Sequence, residues 1–187
     1  MRYILIIFFI FLFSLNVISC AKIDELTGRS SADSSASSSS DGSTGTYQLA
    51  THDYANGVVT DSSGNVYVTG GTKGGLDGNT SAGNTDLFML KYNSSGTKQW
   101  TKQYGTGQYD EARGVATDSS GNVYVTGYTE GGLDGNTSAG KADFFVVKYN
   151  SSGTKLWTNQ LGTWDTDFAN GVATDSSGNV YVSGSTY

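Results

Sequence analysis

The segment that decides the fold is GVATDSSGNVYVTG at residues 114–127. Nearly the same string, GVVTDSSGNVYVTG, occupies residues 57–70. The offset is 57 residues, and about 41 of 57 positions match between residues 55–111 and 112–168. A third, partial copy begins at Ala169. A fixed period of this length is typical of modular folds, in which each copy buries its apolar surface against its neighbours.

One copy predicts four short strands. Alternating polarity and β-propensity place them at Gly57–Thr60, Val66–Thr69, Leu87–Tyr92 and Lys98–Tyr104. The first two are joined by a tight turn in which Asp61 can accept hydrogen bonds from its own turn. The third strand is apolar on both faces, as expected of a covered strand. Two hairpins per copy, stacked on further copies, predict an all-β fold of β-propeller-type blades with four antiparallel strands. A β-solenoid is the alternative.

Both halves of the copy resemble a known repeat. The string at residues 114–127 resembles the signature of the bacterial β-propeller repeat called SBBP, and Phe144–Tyr149 with Gly153 and Trp157 resembles its second half. The core is also similar, more weakly, to NHL-type propeller repeats. The resemblance covers the chain after residue 46. It implies a propeller-like fold in exported or surface proteins, and it implies no reaction, cofactor or catalytic residue.

The number of copies departs from a closed propeller. The repeat region, residues 47–187, holds two complete copies and less than half of a third, whereas closed propellers typically need about 4–8 blades. Three interpretations stay open. The favoured one is a piece of a longer propeller with additional blades. The others are a homo-oligomer whose chains complete one ring, and an open stack with exposed edge strands.

The N-terminus predicts export. Residues 1–19 read as a signal peptide, since Arg2 is its only charge and the apolar run Ile4–Ile18 is short for a transmembrane helix. The run ends in VISC, which resembles a bacterial lipobox and implies cleavage before Cys20 and lipidation of its sulfur. A plain secretory signal is the alternative. Ala21 resembles the second residue of lipoproteins passed to the outer membrane, so we expect a lipid-anchored protein at the outer membrane or cell surface.

The next segment and the charge balance fit an exported protein. Residues 20–46 predict a lipidated cysteine and a Ser-rich, disordered tether, with a glycosylated or partner-binding stalk as the alternative. Without residues 1–19 the chain has 10 basic against 17 acidic residues, a net charge of about −7. That balance argues against a nucleic-acid partner. Cys20 is the only cysteine, so its lipidation leaves no thiol for a disulfide or metal site.

Candidate catalytic and metal sites are few. His52 is the only histidine and lies before the first full copy, so we predict no enzyme and no cofactor. The Gly-rich loop at residues 74–83 recurs unchanged in the second copy. Asp77 and Asn79, with Asp86 nearby, offer oxygens of the kind that Ca²⁺ accepts. The EF-hand spacing is missing, however, and such residues are common in turns. We therefore favour a structural loop and predict no metal.

The segment after the fourth strand varies between copies. Residues 104–111 read YGTGQYDE and residues 161–168 read LGTWDTDF, and five of the eight positions differ. Propellers place binding residues in the loops between blades, and exposed aromatic side chains suit sugar or protein contacts. Trp164, Phe168 and Tyr109 are therefore candidate binding residues. Ordinary loop drift, with Trp164 packed between blades, is the alternative and is favoured from the sequence alone.

These features together predict a surface-anchored lipoprotein with a β-propeller repeat scaffold for protein or glycan interaction. One alternative is a lectin-like sugar-binding module assembled from several chains. A propeller enzyme is less favoured, because it would need a convergent acid, base and electrophile that the sequence does not display. Resemblance in fold alone leaves the ligand open.

Overall fold

A computed structural model of the protein describes residues 52–187, which form ten β-strands and one short 3₁₀ turn at Leu133–Gly135. The strands are β1 Tyr54–Thr60, β2 Val66–Thr72, β3 Asp86–Tyr92, β4 Lys98–Tyr104, β5 Asp110–Thr117, β6 Val123–Thr129, β7 Asp143–Tyr149, β8 Lys155–Leu161, β9 Asp167–Thr174 and β10 Val180–Thr186. The predicted signal peptide, Cys20 and the tether lie outside the described residues. Between residues 52 and 187 there is no helix with the length and hydropathy needed to cross a membrane.

The strands form three antiparallel sheets in chain order. Strands β1-β2-β3-β4 make the first sheet, β5-β6-β7-β8 make the second, and β9-β10 make a two-stranded third. We call these sheets blade 1, blade 2 and the half-blade. The prediction of four-stranded antiparallel blades, two complete and one partial, is confirmed. The strands of residues 52–187 do not close into a ring.

The first strand of each copy begins earlier than predicted. β1 starts at Tyr54 instead of Gly57, because a β-bulge at Asn56 lets its pairing with β2 continue toward the N-terminus. The same register shift leaves Arg113 unpaired in β5 and Asn170 unpaired in β9. A bulge adds one residue to a strand and re-aims its side chain. The first strand of each copy (β1, β5 and β9) therefore presents one side chain in a direction that simple alternation does not predict.

The first turn of each copy is held by its aspartate, as predicted. The Asp61 carboxylate accepts hydrogen bonds from the backbone N–H groups of Ser63 at 2.9 Å and Asn65 at 3.0 Å, and from the Tyr67 hydroxyl at 3.1 Å. The same bonds recur in the other two copies. Burial acts to raise the pKa of Asp61, but hydrogen bonds, those from Asn65 first, hold the pKa below its usual value.

Neighbouring blades pack through their first strands. The Thr117 hydroxyl of β5 donates to the Thr60 carbonyl of β1 at 3.3 Å, and the Thr174 hydroxyl of β9 donates to the Thr117 carbonyl at 2.8 Å. A Cβ atom added to Gly114 would lie 3.1 Å from the Gly171 Cα. Each of these contacts joins residues that are 57 positions apart. The repeat period is therefore the step from one blade to the next.

Blades 1 and 2 share one apolar core. Its buried side chains come from both sheets and, for Leu133, from the 3₁₀ turn: Tyr67, Leu87, Met89, Ala112, Val123, Val125, Leu133, Phe145, Val147 and Tyr149. The prediction that the third strand is covered on both faces is confirmed, because Leu87, Phe88 and Met89 are successive residues and each is at most 4% exposed. Burying one such side chain stabilises the fold by about 1.5–3 kcal/mol. Each blade therefore depends on its neighbour for stability.

Candidate functional site

Each blade has a turn end and a loop end. The turn end carries the tight turns that join the first strand to the second and the third strand to the fourth. The loop end carries the longer connections at residues 73–85, 105–109, 130–142 and 162–166. Successive antiparallel strands alternate in direction, so all of these connections lie at the same end of the sheets.

Differences between the copies gather at the loop end. Residues 55–111 and 112–168 differ at 16 positions, and none of these falls in residues 60–70 or 91–98, which form the turn end of blade 1. The differing pairs at the loop end include Asn56/Arg113, Gly71/Tyr128, Lys73/Glu130, Asn84/Lys141, Gly107/Trp164, Gln108/Asp165, Tyr109/Thr166 and Glu111/Phe168. The turn end has the same sequence in both blades, whereas several side chains at the loop end differ from one blade to the next. The loop end is therefore the candidate functional site.

Glu111 is the centre of a hydrogen-bond network between blades 1 and 2. Its Oε2 atom accepts from the Tyr54 hydroxyl at 3.0 Å and the Tyr128 hydroxyl at 3.2 Å. Its Oε1 atom accepts from Asn56 Nδ2 at 3.2 Å and Arg113 Nε at 3.3 Å. Four donors occupy the two oxygens, so this carboxylate joins the blades and has little capacity left to act as a base.

Arg113 continues this network to the half-blade. Its guanidinium carbon lies 4.7 Å from the ring centre of Tyr128 and 4.6 Å from that of Phe168, and its Nη1 donates to Asn170 Oδ1 at 3.0 Å. The two rings meet edge to face at 4.9 Å. Burial, with Glu111 nearby, raises the pKa of Tyr128 to about 12. The bulge at Arg113 thus directs a cation between two aromatic rings on neighbouring blades.

The geometry of the repeats agrees with a comparison against known families. The model of the β-propeller repeat family SBBP matches residues 48–77, 99–134 and 156–187, which together are more than half of the chain. The chain belongs to the SBBP β-propeller repeat family. The predicted resemblance is confirmed in all three copies, and the matched segments include the first turn of each copy.

Two curated relatives share part of the SBBP region. Regulatory protein FlaEY of Caulobacter vibrioides is 30% identical over 140 residues, which cover 67% of this chain and 15% of the relative. Uncharacterized WD repeat-containing protein L264 of Acanthamoeba polyphaga mimivirus is 32% identical over 89 residues, or 42% of this chain and 6% of the relative. The chain therefore corresponds to a small fraction of each relative.

The three candidate binding residues fall at two junctions of the SBBP blades. Tyr109 is half-buried at the junction of blades 1 and 2, where it pairs with Thr85 and its carbonyl accepts from the Glu130 N–H at 2.8 Å. Phe168 lies near the start of β9, at the junction of blade 2 with the half-blade, and its ring contacts Arg113. Trp164 lies in the loop before it. These residues occupy related positions of successive repeats and do not line a single pocket.

Trp164 is the most exposed of the large apolar side chains described between residues 52 and 187, at 77%. The equivalent residue at the previous junction is Gly107, and a Cβ atom added there would have no atom within 4 Å. Gly107 lies between two complete blades, so the space around a Cβ atom at this position is open even with a blade on each side. Loop drift, with Trp164 packed between blades, stays the alternative to a binding role.

Two buried aspartates lie beneath the loops of the first junction. Asp86 Oδ2 accepts from the Ala82 N–H at 2.8 Å and from Gln103 Nε2 at 2.7 Å. A Cβ atom on Gly105 would lie 2.5 Å from Asp86 Oδ1 and 3.0 Å from Asp110 Oδ2, so both carboxylates face this glycine. Burial, with a smaller contribution from Asp86, raises the pKa of Asp110. These side chains fasten the loops to the strands.

The side chains considered for calcium are engaged in other contacts within the protein. Asp77 forms an ion pair with Lys98 at 2.6 Å, and Asn79 Nδ2 donates to the Leu76 carbonyl at 2.7 Å. Asp86 lies in the buried network beneath the loop. Among the residues that the structure describes, no three His, Cys, Asp or Glu side chains are placed to hold a metal ion.

Glu111, Arg113 and Tyr128 were not identified from the sequence. Glu111 lies within the variable segment, but no sequence pattern distinguishes a carboxylate whose oxygens accept several hydrogen bonds from one that is free. Arg113 stands 57 positions from both Asn56 and Asn170, so comparison of the copies marks it as variable. The bulge that directs its side chain leaves no sequence signal.

Proposed function

We propose that the protein is an exported lipoprotein whose SBBP repeats form a scaffold that binds a protein or glycan partner at the loop end. The observation that carries the binding proposal is the concentration of differences at that end, where 11 of the 16 differing pairs lie at or beside the loops, whereas residues 60–70 and 91–98 have none. Drift alone would also alter exposed turn residues such as Ser62 and Ser94, yet both are identical in the second copy. Loop-end side chains that differ between blades, on a constant frame, suit recognition of a partner.

We propose an interaction role in preference to catalysis. The Glu111 oxygens are occupied by four donors, and Asp86 and Asp110 are buried beneath loops. His52 is exposed and precedes β1. The names of the two relatives, a regulatory protein and a WD repeat-containing protein, support the same preference.

Changing Cys20 to alanine is expected to abolish lipid attachment and release the chain from membranes. The reason is that acyl chains on this cysteine supply the membrane affinity, at about 0.8 kcal/mol per buried methylene. The measurement is metabolic labelling with an alkyne fatty acid, followed by membrane fractionation. Ser19→Ala is the control, since it keeps the cysteine. A Cys20→Ala chain that remained labelled and membrane-bound would refute the anchor.

Binding at the loop end is tested by photo-crosslinking in cells that produce the full chain. The photoreactive residue p-benzoylphenylalanine replaces Gly107, whose Cβ direction is open, or Ser119, which is exposed at the turn end. Irradiation is expected to give a discrete higher-mass species from position 107 and none from position 119. Crosslinks from position 119 alone, or from neither position, would contradict the proposed scaffold.

A further inference from the structure

Three differences between the copies meet at one place. The junction of blade 2 with the half-blade carries Lys141, Trp164 and Asp165, where the preceding junction carries Asn84, Gly107 and Gln108. Lys141 follows one loop and Asp165 belongs to the next, yet the Lys141 N–H donates to the Asp165 carbonyl at 3.0 Å. A Cβ atom on Gly140 would lie 2.6 Å from the Trp164 carbonyl oxygen. The three replacements therefore form one cluster, which we call the Trp164 cluster.

The ion pair in this cluster is poorly suited to stabilise the fold. Lys141 Nζ lies 2.9 Å from Asp165 Oδ1, and the lysine side chain is 69% exposed. Exposed pairs of this kind contribute little to the free energy of unfolding. The lysine has three N–H donors and the aspartate has several acceptor positions. The pair therefore leaves hydrogen-bonding capacity in solvent at Asp165, the residue that follows Trp164, and at Lys141, which is paired with it.

The surroundings of Trp164 favour one class of ligand. Its neighbours along the loop, Gly162, Thr163, Asp165 and Thr166, have no large apolar side chain. The exposed ring nearest to this loop in the fold belongs to Tyr187, whose N–H donates to the Thr166 carbonyl at 3.2 Å and whose side chain carries a polar hydroxyl. Protein-binding hot spots are usually enclosed by other contacts that exclude water. A sugar instead presents a flat C–H face bounded by hydroxyl groups. It needs one open aromatic face with donors and acceptors nearby, and the Trp164 cluster contains an exposed indole, a lysine and an aspartate.

We propose that the Trp164 cluster is a saccharide-binding site, with a sugar ring stacked on Trp164 and its hydroxyl groups bonded to Lys141 and Asp165. This inference rests on the proposed loop-end function and specifies its ligand class. The junction of blades 1 and 2 lacks all three residues, so one chain carries one such site among residues 52–187.

The test uses the full chain in detergent on an array of immobilised neutral and acidic oligosaccharides. Wild type is expected to bind a defined subset. Trp164→Gly, which installs the residue of the preceding junction, should weaken binding about fivefold or more, because it removes the aromatic face on which the sugar ring stacks. The turn-end variant Ser119→Ala is the matched control and should bind as wild type. Circular dichroism verifies that each variant is folded.

A transplant provides the converse test. Asn84→Lys, Gly107→Trp and Gln108→Asp together place the cluster at the first junction, where the Gly107 direction is open. Calorimetry with the best glycan from the array should change from one site per chain to two. A wild-type chain that binds no glycan, or a Trp164→Gly chain that binds normally, would overturn the saccharide site. If position 107 gives a crosslink but the chain binds no glycan, the saccharide site is rejected and the interaction scaffold is retained. If position 107 gives no crosslink, the scaffold itself is rejected.

Discussion

Replacing Gly127 by alanine is expected to lower the free energy of unfolding by at least about 4 kcal/mol, which is enough to unfold most of the chain. The new Cβ atom would overlap the Glu111 carbonyl oxygen and lie 2.9 Å from the Ala112 Cα. Both atoms belong to the backbone of β5, which is fixed against two neighbouring sheets. Gly70 and Gly184 meet the equivalent carbonyl in the other copies. The clash can be relieved only by separating the paired strands.

Gly107→Ala is the control for this prediction, because a Cβ atom at Gly107 meets no atom within 4 Å. Urea unfolding of residues 21–187, followed by far-UV circular dichroism, compares the two variants with wild type. The control should unfold at the wild-type midpoint. A Gly127→Ala chain that also unfolded at that midpoint would show that β5 and β6 are not paired as described.

Removing the Asp110 carboxylate has the second largest expected effect. Asp110 is fully buried and accepts from the Thr106 N–H at 2.6 Å, from the Thr106 hydroxyl at 2.9 Å and from the Thr129 hydroxyl. Alanine would leave both Thr106 donors without an acceptor at the start of β5, and the Thr129 hydroxyl would keep only the Gly131 carbonyl, at 3.2 Å. Each unpaired buried group costs about 1–3 kcal/mol, so Asp110→Ala should lose about 3–5 kcal/mol in urea unfolding.

The charge of Asp110 gives this prediction a pH signature. Burial raises its folded-state pKa above 3.8, so the folded chain binds more protons than the unfolded chain in the range just above that value. The Asp110 contribution to stability therefore increases as the pH falls through the raised pKa, and decreases as the pH rises. Asp110→Asn cannot titrate. As the pH falls, the free energy of unfolding of wild type should therefore rise relative to that of Asp110→Asn. A fall of the wild-type value relative to the variant over the same pH range would contradict the buried carboxylate.

Much of the fold was predictable because its signals are local and repeated. The 57-residue offset gives the step between blades, and Asp61 supplies the turn that its position indicates. The sequence pattern predicts the start of β1 at Gly57, three residues too late, because the bulge at Asn56 interrupts strand alternation. A bulge depends on how the partner strand pairs, which no local pattern of side chains records.

The candidate site was only partly predictable. Trp164 stands out in the sequence as the residue that replaces Gly107, and in the structure it is exposed. Phe168 was also among the candidates, but its contact with Arg113 joins two blades and depends on a second bulge. Likewise, the saturation of Glu111 arises only when β1, β5 and β6 come together. Contacts between blades set these roles, so the sequence of one copy does not contain them.

The central structural claim is that the blades pack side by side. If they do, segments of identical sequence should differ in the protection of their backbone amides from hydrogen exchange. Residues 66–69 and 123–126 have the same sequence, and therefore nearly the same intrinsic exchange rates. Hydrogen exchange with mass spectrometry on residues 21–187 can distinguish peptides that extend to Gly71 and Tyr128. Exchange should be slower in β6, which is flanked on both sides, than in β2, and fastest in β10. Equal exchange in all three copies would contradict the packed blades.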